Sequence, residues 1–324
     1  MIHARTLTRT FTAGKDTVEA VRGIDLDIGS GELVALLGPN GAGKSTTLRM
    51  LTSLLPPTSG EARVAGVDVT HDPAGVRARI GYVGQKDGAG HNYRVSDELL
   101  MQGRFYGLHR RTAKARCAEL MSLLDLAGLG RRKVSTLSGG QKRRLDIALG
   151  LMHEPGLLFL DEPTTGMDPQ SRANLWEHIL RLRQERGTTI VVTTHYLEEA
   201  DAMTERVIVV DHGRIIADDT PERLKDELAG DHIEVEVPAA DAAIARDIIA
   251  RFGTEISASP GRNNGSASVR LRARVRSGPR TLPGLLPHLA ATGVTVSAAN
   301  AHQPTLDDVF LTLTGRSLRE GADA

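Results

Sequence analysis

The stretch Gly38-Pro-Asn-Gly-Ala-Gly-Lys-Ser-Thr46 limits the possible folds of this chain more than any other. It follows a compact apolar run from Glu32 to Leu37. It leads into a helical stretch that must stop by Pro56-Pro57, because proline removes a backbone donor and restricts its predecessor. In the order strand, glycine loop, helix, successive backbone N–H groups converge on phosphate oxygens and the helix N-terminus adds partial positive charge. Gly38, Asn40, Gly41, Gly43 and Thr46 belong to this cradle, Lys44 reaches the β and γ phosphates, and Ser45 offers a hydroxyl to Mg²⁺. A glycine turn without a ligand is the alternative.

Two further constellations ask for the same chemistry. Leu157-Leu-Phe-Leu160 delivers Asp161 and Glu162 to the end of a buried strand, where a carboxylate pair is costly unless it serves a cation or water. Asp161 is expected in the Mg²⁺ shell and Glu162 beside the attacking water. In Leu137-Ser-Gly-Gly-Gln141, just before another helix, Ser138, Gly139, Gly140 and Gln141 form a second anion site. One nucleotide needs one cradle, so the economical geometry sets this second site against a nucleotide held by a partner chain.

Over residues 1 to about 228 these motifs, in this order, resemble the ATP-binding cassette (ABC) family, whose signature is the pentapeptide at Leu137. The resemblance implies an α/β P-loop NTPase fold with a helical subdomain at about 86–149, using ATP and Mg²⁺. It gives Gln85 a contact with Mg²⁺ and water, Asp168 of Thr165-Gly-Met-Asp168 a contact with the opposite subunit, and His195 a switch role at the γ phosphate. Phe11 stands where such proteins stack a ring on adenine. By themselves these residues also read as a solvated amide, a helix N-cap before Pro169, a strand-end histidine and a core ring.

Gly84-Gln85, Gly140 to Leu149, Thr194 to Asp201 and Pro304 to Leu311 resemble the daunorubicin-resistance type of exporter ATPase, in which a C-terminal extension is also expected. That likeness implies ATP hydrolysis driving efflux of a drug-, antibiotic- or lipid-like compound. It further implies a homodimer of ATPase subunits on a separately encoded membrane permease, at the cytoplasmic face of the cell membrane.

The remaining sequence supplies organisation. At ~150 residues per domain, 324 residues suggest two domains. Segments 96–108, 112–127 and 138–153 have helical period with no comparable strand between them. Strands resume at Leu157 to Leu160, Thr188 to Thr194, Arg206 to Val210 and Arg214 to Ala217, and their alternation with helices implies a mainly parallel sheet. Beyond Pro221 the character changes, and 229–324 reads as a smaller α+β accessory, dimerisation or regulatory domain of β-α-β-β-α-β, ferredoxin-like order. Its elements include a Pro-Gly-Arg-Asn-Asn-Gly turn from Pro260, a last strand at Val294 to Ala298, a helix capped by Thr305 with Asp308, and a loose tail from Arg319. Cys117 and Trp176 read as core. The basic clusters Arg131 to Lys133 and Lys142 to Arg144 read as solvated faces more readily than as phosphate-steering patches.

Several classes are excluded or disfavoured. Forty basic residues balance forty acidic ones, so no protein-wide positive field holds a nucleic acid. No run reaches the ~18 apolar residues of a spanning helix. The N-terminus lacks a secretion signal's basic and apolar regions. A soluble ABC-type ATPase of DNA repair or the ribosome is the rival reading, although a long coiled-coil insertion and a second cassette are missing. A module that holds ATP without hydrolysing it conflicts with Glu162 and His195.

Overall fold

The order of polar and apolar residues decides the first strands. In the computed structural model, which describes residues 1–14, 16–261 and 268–315, β1 (Ile2–Ala13) and β2 (Asp16–Ile28) pair antiparallel. Their alternation buries Ile2, Leu7, Ile24, Leu26 and Ile28 on one face. β3 (Leu33–Leu37) is buried along its whole length, as its unbroken apolar run requires, and α1 (Lys44–Leu51) follows the glycine loop. β4 (Ser59–Val64) and β5 (Val67–Asp68) complete an antiparallel sheet of order β2-β1-β4-β5. Next come α2 (Pro73–Arg77), begun by Asp72, and β6 (Ile80–Val83).

The helical insertion consists of α3 (Val95–Phe105), α4 (Arg110–Leu123) and α5 (Gly139–Gly150). Cys117, Leu120 and Leu124 lie on the buried stripe expected of them, and burial pushes the Cys117 thiol pKa up. The chain then returns through β7 (Leu157–Asp161), α6 (Pro169–Arg186), β8 (Thr189–Thr194), α7 (Leu197–Met203), β9 (Arg206–Asp211) and β10 (Arg214–Asp219).

The second sheet has the order β10-β9-β3-β8-β7-β6, parallel from β9 to β6 and closed by the antiparallel edge strand β10. A core of Leu48, Leu51, Phe159, Val191 and Ile208 joins this sheet and α1 to the first sheet. Each such side chain, fully buried, contributes roughly 2 kcal/mol. Trp176 is buried, as its reading as core requires.

Parallel strands carry a positional consequence. β3, β7 and β8 run the same way, so the segments after Leu37, Asp161 and Thr194 emerge at one edge of the sheet. The strand order changes direction at β3, whose neighbours are β8 and β9, and this is the edge where open α/β sheets bind ligands. No helix among the described residues is long and apolar enough to cross a membrane.

The chain divides into two compact units at Thr220/Pro221, earlier than the 228/229 division expected from sequence. The reason is local: α8 (Pro221–Leu224) and the helical turn Lys225–Ala229 pack against the last helix of the second unit. That unit continues through β11 (Asp231–Pro238), α9 (Ala242–Ile249), β12 (Thr254–Pro260), β13 (Ser268–Val275), α10 (Gly278–Ala291), β14 (Ala298–His302) and α11 (Leu306–Thr314). Its antiparallel sheet has the order β12-β13-β11-β14. Ile233, Val235, Leu271 and Ala273 face Ile249, Leu285 and Leu289 of the two helices in one core. The expected strand at Val294 to Ala298 is displaced toward the C-terminus. Val294 is drawn into the helix-side core, and residues 298–302 take the edge of β11 instead. The turn after Gly261 and the tail from Arg319 lie outside the described residues. Thr305 and Asp308 form the capping box at α11.

Candidate active site

The glycines of the loop answer first to crowding. A Cβ on Gly38 would stand 2.1 Å from the Val210 carbonyl oxygen, and one on Gly43 would stand 2.5 Å from that of Ala20. Gly43 also has a φ of 104°, in the left-handed region. These constraints hold the loop close to β9 and β2 and let α1 begin at Lys44. Asn40, Gly41, Gly43, Lys44, Ser45 and Thr46 line a cavity of about 180 Å³ together with Ala20, Gln85 and Glu162. A larger cavity of about 300 Å³, between β6 and the helical insertion, includes Gly84 but no residue of the phosphate loop.

Lys44 is buried, and its ammonium donates to the carbonyls of Gly38 at 2.6 Å and Pro39 at 3.0 Å. Burial lowers its pKa, against the opposing pull of Glu162 and Asp161. Ser45 Oγ donates to Asp161 Oδ1 at 2.8 Å and receives Gln85 Nε2 at 3.3 Å. Thr193 Oγ1 donates to the same Asp161 oxygen at 2.7 Å and accepts the Glu162 N–H at 2.9 Å. Asp161 Oδ2 is buried without a hydrogen bond. A buried carboxylate oxygen left this way, beside a hydroxyl and an amide, suits an oxygen-ligated divalent cation.

Glu162 adopts φ of 46°, a conformation that costs a non-glycine residue ~1 kcal/mol and is tolerated where the surroundings impose it. Its Oε2 accepts from Thr165 Oγ1 at 3.2 Å and stands 3.7 Å from His195 Nδ1. The His195 ring beside it, reinforced by Lys44, holds the Glu162 carboxyl below its ordinary pKa against the effect of burial.

Ser138, Gly139, Gly140 and Gln141 do not line this cavity. Ser138 caps α5: its hydroxyl accepts the Gln141 N–H while the Gln141 side chain accepts the Ser138 N–H. Gly140 lies beside Met167 and Ser171, so the signature and the Thr165 to Asp168 loop share one surface. Asp168 caps α6 through Ser171. Phe11 is exposed on β1, not in the core, and the Arg9 guanidinium stands 4.7 Å over its ring.

Sequence reasoning missed four residues. Thr193 was hidden in an apolar strand. Arg143 and Arg144 are not a solvated face: Arg143 is buried on the carbonyls of Gly84, Asp161 and Pro163, and Arg144 reaches Asn174. Asp146 is buried on the N–H groups of Gly88 and Ala89. A carboxylate interrupting the apolar run from Leu145 to Met152 was the signal that could have found it.

A parallel sheet with this loop after β3, and with a carboxylate pair at the end of β7, defines a P-loop NTPase. The ABC transporter family profile matches residues 21–165. The chain is 44% identical to the daunorubicin resistance ATP-binding protein DrrA2 of Streptomyces coeruleorubidus, over 91% of this chain and 90% of that one. It is 34% identical to the linearmycin resistance ATP-binding protein LnrL of Bacillus subtilis, over 99% and 100%. A dimeric post-hydrolysis state of the ATP-binding cassette MJ0796 bound to ADP and Pi superposes with a TM-score of 0.62, at 27% identity, over 68% of this chain and 98% of that one. The chain belongs to the ATP-binding subunits of ABC transporters and is an ATPase.

Proposed function

We propose that two copies of the chain face each other head to tail, each ATP lying between the phosphate loop of one and Ser138 to Gln141 of the other. The observation that carries this reading is the separation, within one chain, of two anion-binding elements. The phosphate-loop cavity contains Lys44, Ser45, Gln85 and Glu162, while the signature lies on another surface with Asp168. Ser45, Gln85 and Asp161 would hold Mg²⁺, which when bound neutralises charge on the phosphates.

Hydrolysis then needs positioning more than covalent chemistry. Lys44 exchanges its loop carbonyls for phosphate oxygens. Glu162, kept ionised at neutral pH, accepts a hydrogen bond from the attacking water and orients it. His195 stands next to Glu162, where it can reach the γ phosphate. Thr193 locks the two carboxylates in register, since it contacts Asp161 and the Glu162 backbone at once. The γ phosphate bridges both copies, so its loss on hydrolysis weakens the closed dimer.

The work is done on a separate membrane subunit in an exporter of a drug-, antibiotic- or lipid-like compound, at the cytoplasmic face of the membrane. The resistance named in the relatives supports that class of cargo. Exposed Tyr93, Met101, Phe105 and Tyr106 on or beside the helical insertion supply apolar surface for such a partner. The 221–324 unit serves dimerisation or regulation. Small-angle scattering with a nonhydrolysable ATP analogue tests the central arrangement. Dimers are expected with the analogue and monomers without it; monomers alone, even with the membrane subunit present, reject it.

A further inference from the structure

Two side chains of α5 hold the loop that carries Gln85 from both sides. Arg143 is 7% exposed, and its Nη1 donates to the Gly84 carbonyl at 2.6 Å, immediately before Gln85. The same guanidinium reaches the carbonyls of Asp161 at 3.0 Å and Pro163 at 2.9 Å. One helical turn later, Asp146 is 5% exposed and its Oδ1 accepts the N–H groups of Gly88 at 3.0 Å and Ala89 at 3.2 Å. Gln85 therefore stands on a short segment pinned at each end to one helix. The helix is the one that Ser138 caps.

The geometry has a mechanical consequence. Charge-assisted hydrogen bonds in a buried setting are short and directional, and α5 is a continuous helix, so both pins move with it. Gln85 in turn donates to Ser45, which contacts Asp161. A displacement of the signature at the start of α5 thus reaches the Ser45 and Asp161 cluster without leaving the chain.

We infer that Arg143 and Asp146 are positioning residues that transmit the position of the signature helix to Gln85, so that occupancy of the Ser138 to Gln141 surface sets the geometry around Ser45 and Asp161 of the same chain. This rests on the reading of Gln85 as part of the ATP site. In a head-to-tail dimer the signature touches one nucleotide and Gln85 another, so α5 links the two sites through each protomer.

The test uses the full-length protein. Asp146→Ala removes the acceptor, whereas Asp146→Asn keeps an oxygen for Gly88 and Ala89. In nucleotide-free protein, hydrogen exchange at the Gly88 and Ala89 amides is expected to accelerate about tenfold or more in Asp146→Ala and to stay within about threefold of wild type in Asp146→Asn. In the ATPase assay, Asp146→Ala lowers kcat roughly tenfold with KM for ATP within about twofold, and Asp146→Asn restores kcat. In a Gln85→Ala background, Asp146→Ala causes no further loss, because its effect passes through Gln85.

Unchanged exchange and kcat in Asp146→Ala overturn the inference, as does an equal loss of kcat with and without Gln85. A normal kcat in Gln85→Ala instead overturns the role given to Gln85. A loss there with none in Asp146→Ala overturns the transmission alone. Should Asp146→Ala not fold, Arg143→Lys, which keeps the charge but not the three-way reach to the Gly84, Asp161 and Pro163 carbonyls, serves in the kinetic cycle: it lowers kcat in wild type and causes no further loss in a Gln85→Ala background, and an equal loss in both overturns the inference.

Discussion

The two units of the chain differ in where buried carboxylates and imidazoles go without a hydrogen bond. In Met1–Thr220, Asp146 Oδ2, Asp161 Oδ2, Glu199 Oε1, His153 Nδ1 and His195 Nδ1 are all buried without a hydrogen bond. Among the described residues from Pro221 onward, no carboxylate or imidazole atom is in that position. There the charges meet across strands: Arg270 lies 2.9 Å from Glu234, Ser268 donates to the buried Glu236, and Arg274 pairs with Glu255. An unsatisfied buried carboxylate costs ~1–3 kcal/mol and persists where something outside the chain completes it. Asp161 Oδ2 is such an oxygen, in the phosphate-loop site beside Ser45, whereas Glu199 Oε1 still faces Arg172 Nε at 3.5 Å. Among the described residues of the second unit the buried atom left so is Arg270 Nε, a cation beside Glu234 rather than a carboxylate.

The largest expected effect puts that contrast at risk directly. Glu162→Gln keeps the shape of the side chain but removes its basicity, so phosphate release should fall roughly 10³-fold. Binding of a nonhydrolysable ATP analogue should stay within about threefold, because Lys44 and the loop are untouched. Glu236→Gln alters a more deeply buried glutamate of the second unit, and turnover should remain within about twofold of wild type. If the two variants lose turnover alike, the division of labour between the units is wrong.

β3, β7 and β8 are legible because strands buried on both faces leave no choice but continuous apolar runs, and the glycine loop, Asp161 and Glu162 stand at their ends. Arg143 was illegible because its partners are the backbone carbonyls of Gly84, Asp161 and Pro163, which no side-chain pattern records, whereas Asp146 left one trace, a carboxylate within an apolar helical run. In the second unit, Ser268 to Val275 alternates strictly, and that alternation marks the strand. Ala298 to His302 is a strand of small and polar residues chosen by the free edge of β11, so its own sequence carries little β signal.

Core substitutions sharpen the comparison at the level of stability. Gly38→Ala sets a methyl group against the Val210 carbonyl, where only backbone movement makes room, and should destabilise by about 3 kcal/mol while weakening ATP binding. Leu271→Ala empties a site in the core of the second unit and should cost about 2 to 4 kcal/mol with ATP affinity unchanged. Denaturant melts and analogue titrations of both variants check the pair. Equal losses of affinity would mean that the second unit supports the phosphate loop.

The pH dependence has opposite sign at two carboxylates of the first unit. Burial raises the Asp146 pKa from 3.8 to about 6, with Asp87 adding to it and Arg143 and the N–H groups of Gly88 and Ala89 opposing it. Lys142 pairs with Asp87, and Lys86 and Glu98 line the same groove. The native state therefore holds this proton more tightly than the unfolded chain. The contribution of Asp146 to stability is full below the unfolded pKa and is lost as pH rises through the folded one. Relative to Asp146→Asn, wild type should lose about 2 to 3 kcal/mol between about pH 4 and pH 7. Glu162, whose pKa is lowered by His195, contributes stability at neutral pH that disappears on acidification. Chemical denaturation across pH separates the two, and identical profiles for wild type and Asp146→Asn would remove the buried charge from the account.

The smallest effect asks whether two helix caps are only caps. Thr305 caps α11 in the second unit through Asp308, and Asp168 caps α6 in the first through Ser171. Thr305→Ala should lower stability by about 1 kcal/mol and leave ATP turnover alone. Asp168→Asn keeps an oxygen for the Ser171 N–H but removes the charge, so as a cap it is nearly silent. If Asp168 also meets the opposite subunit, the Asn variant lowers turnover and weakens the analogue-bound dimer while its melting temperature holds. Full turnover and full dimer affinity in Asp168→Asn would reduce this loop to the same structural task as Thr305, and leave the signature to hold the partner's nucleotide without it.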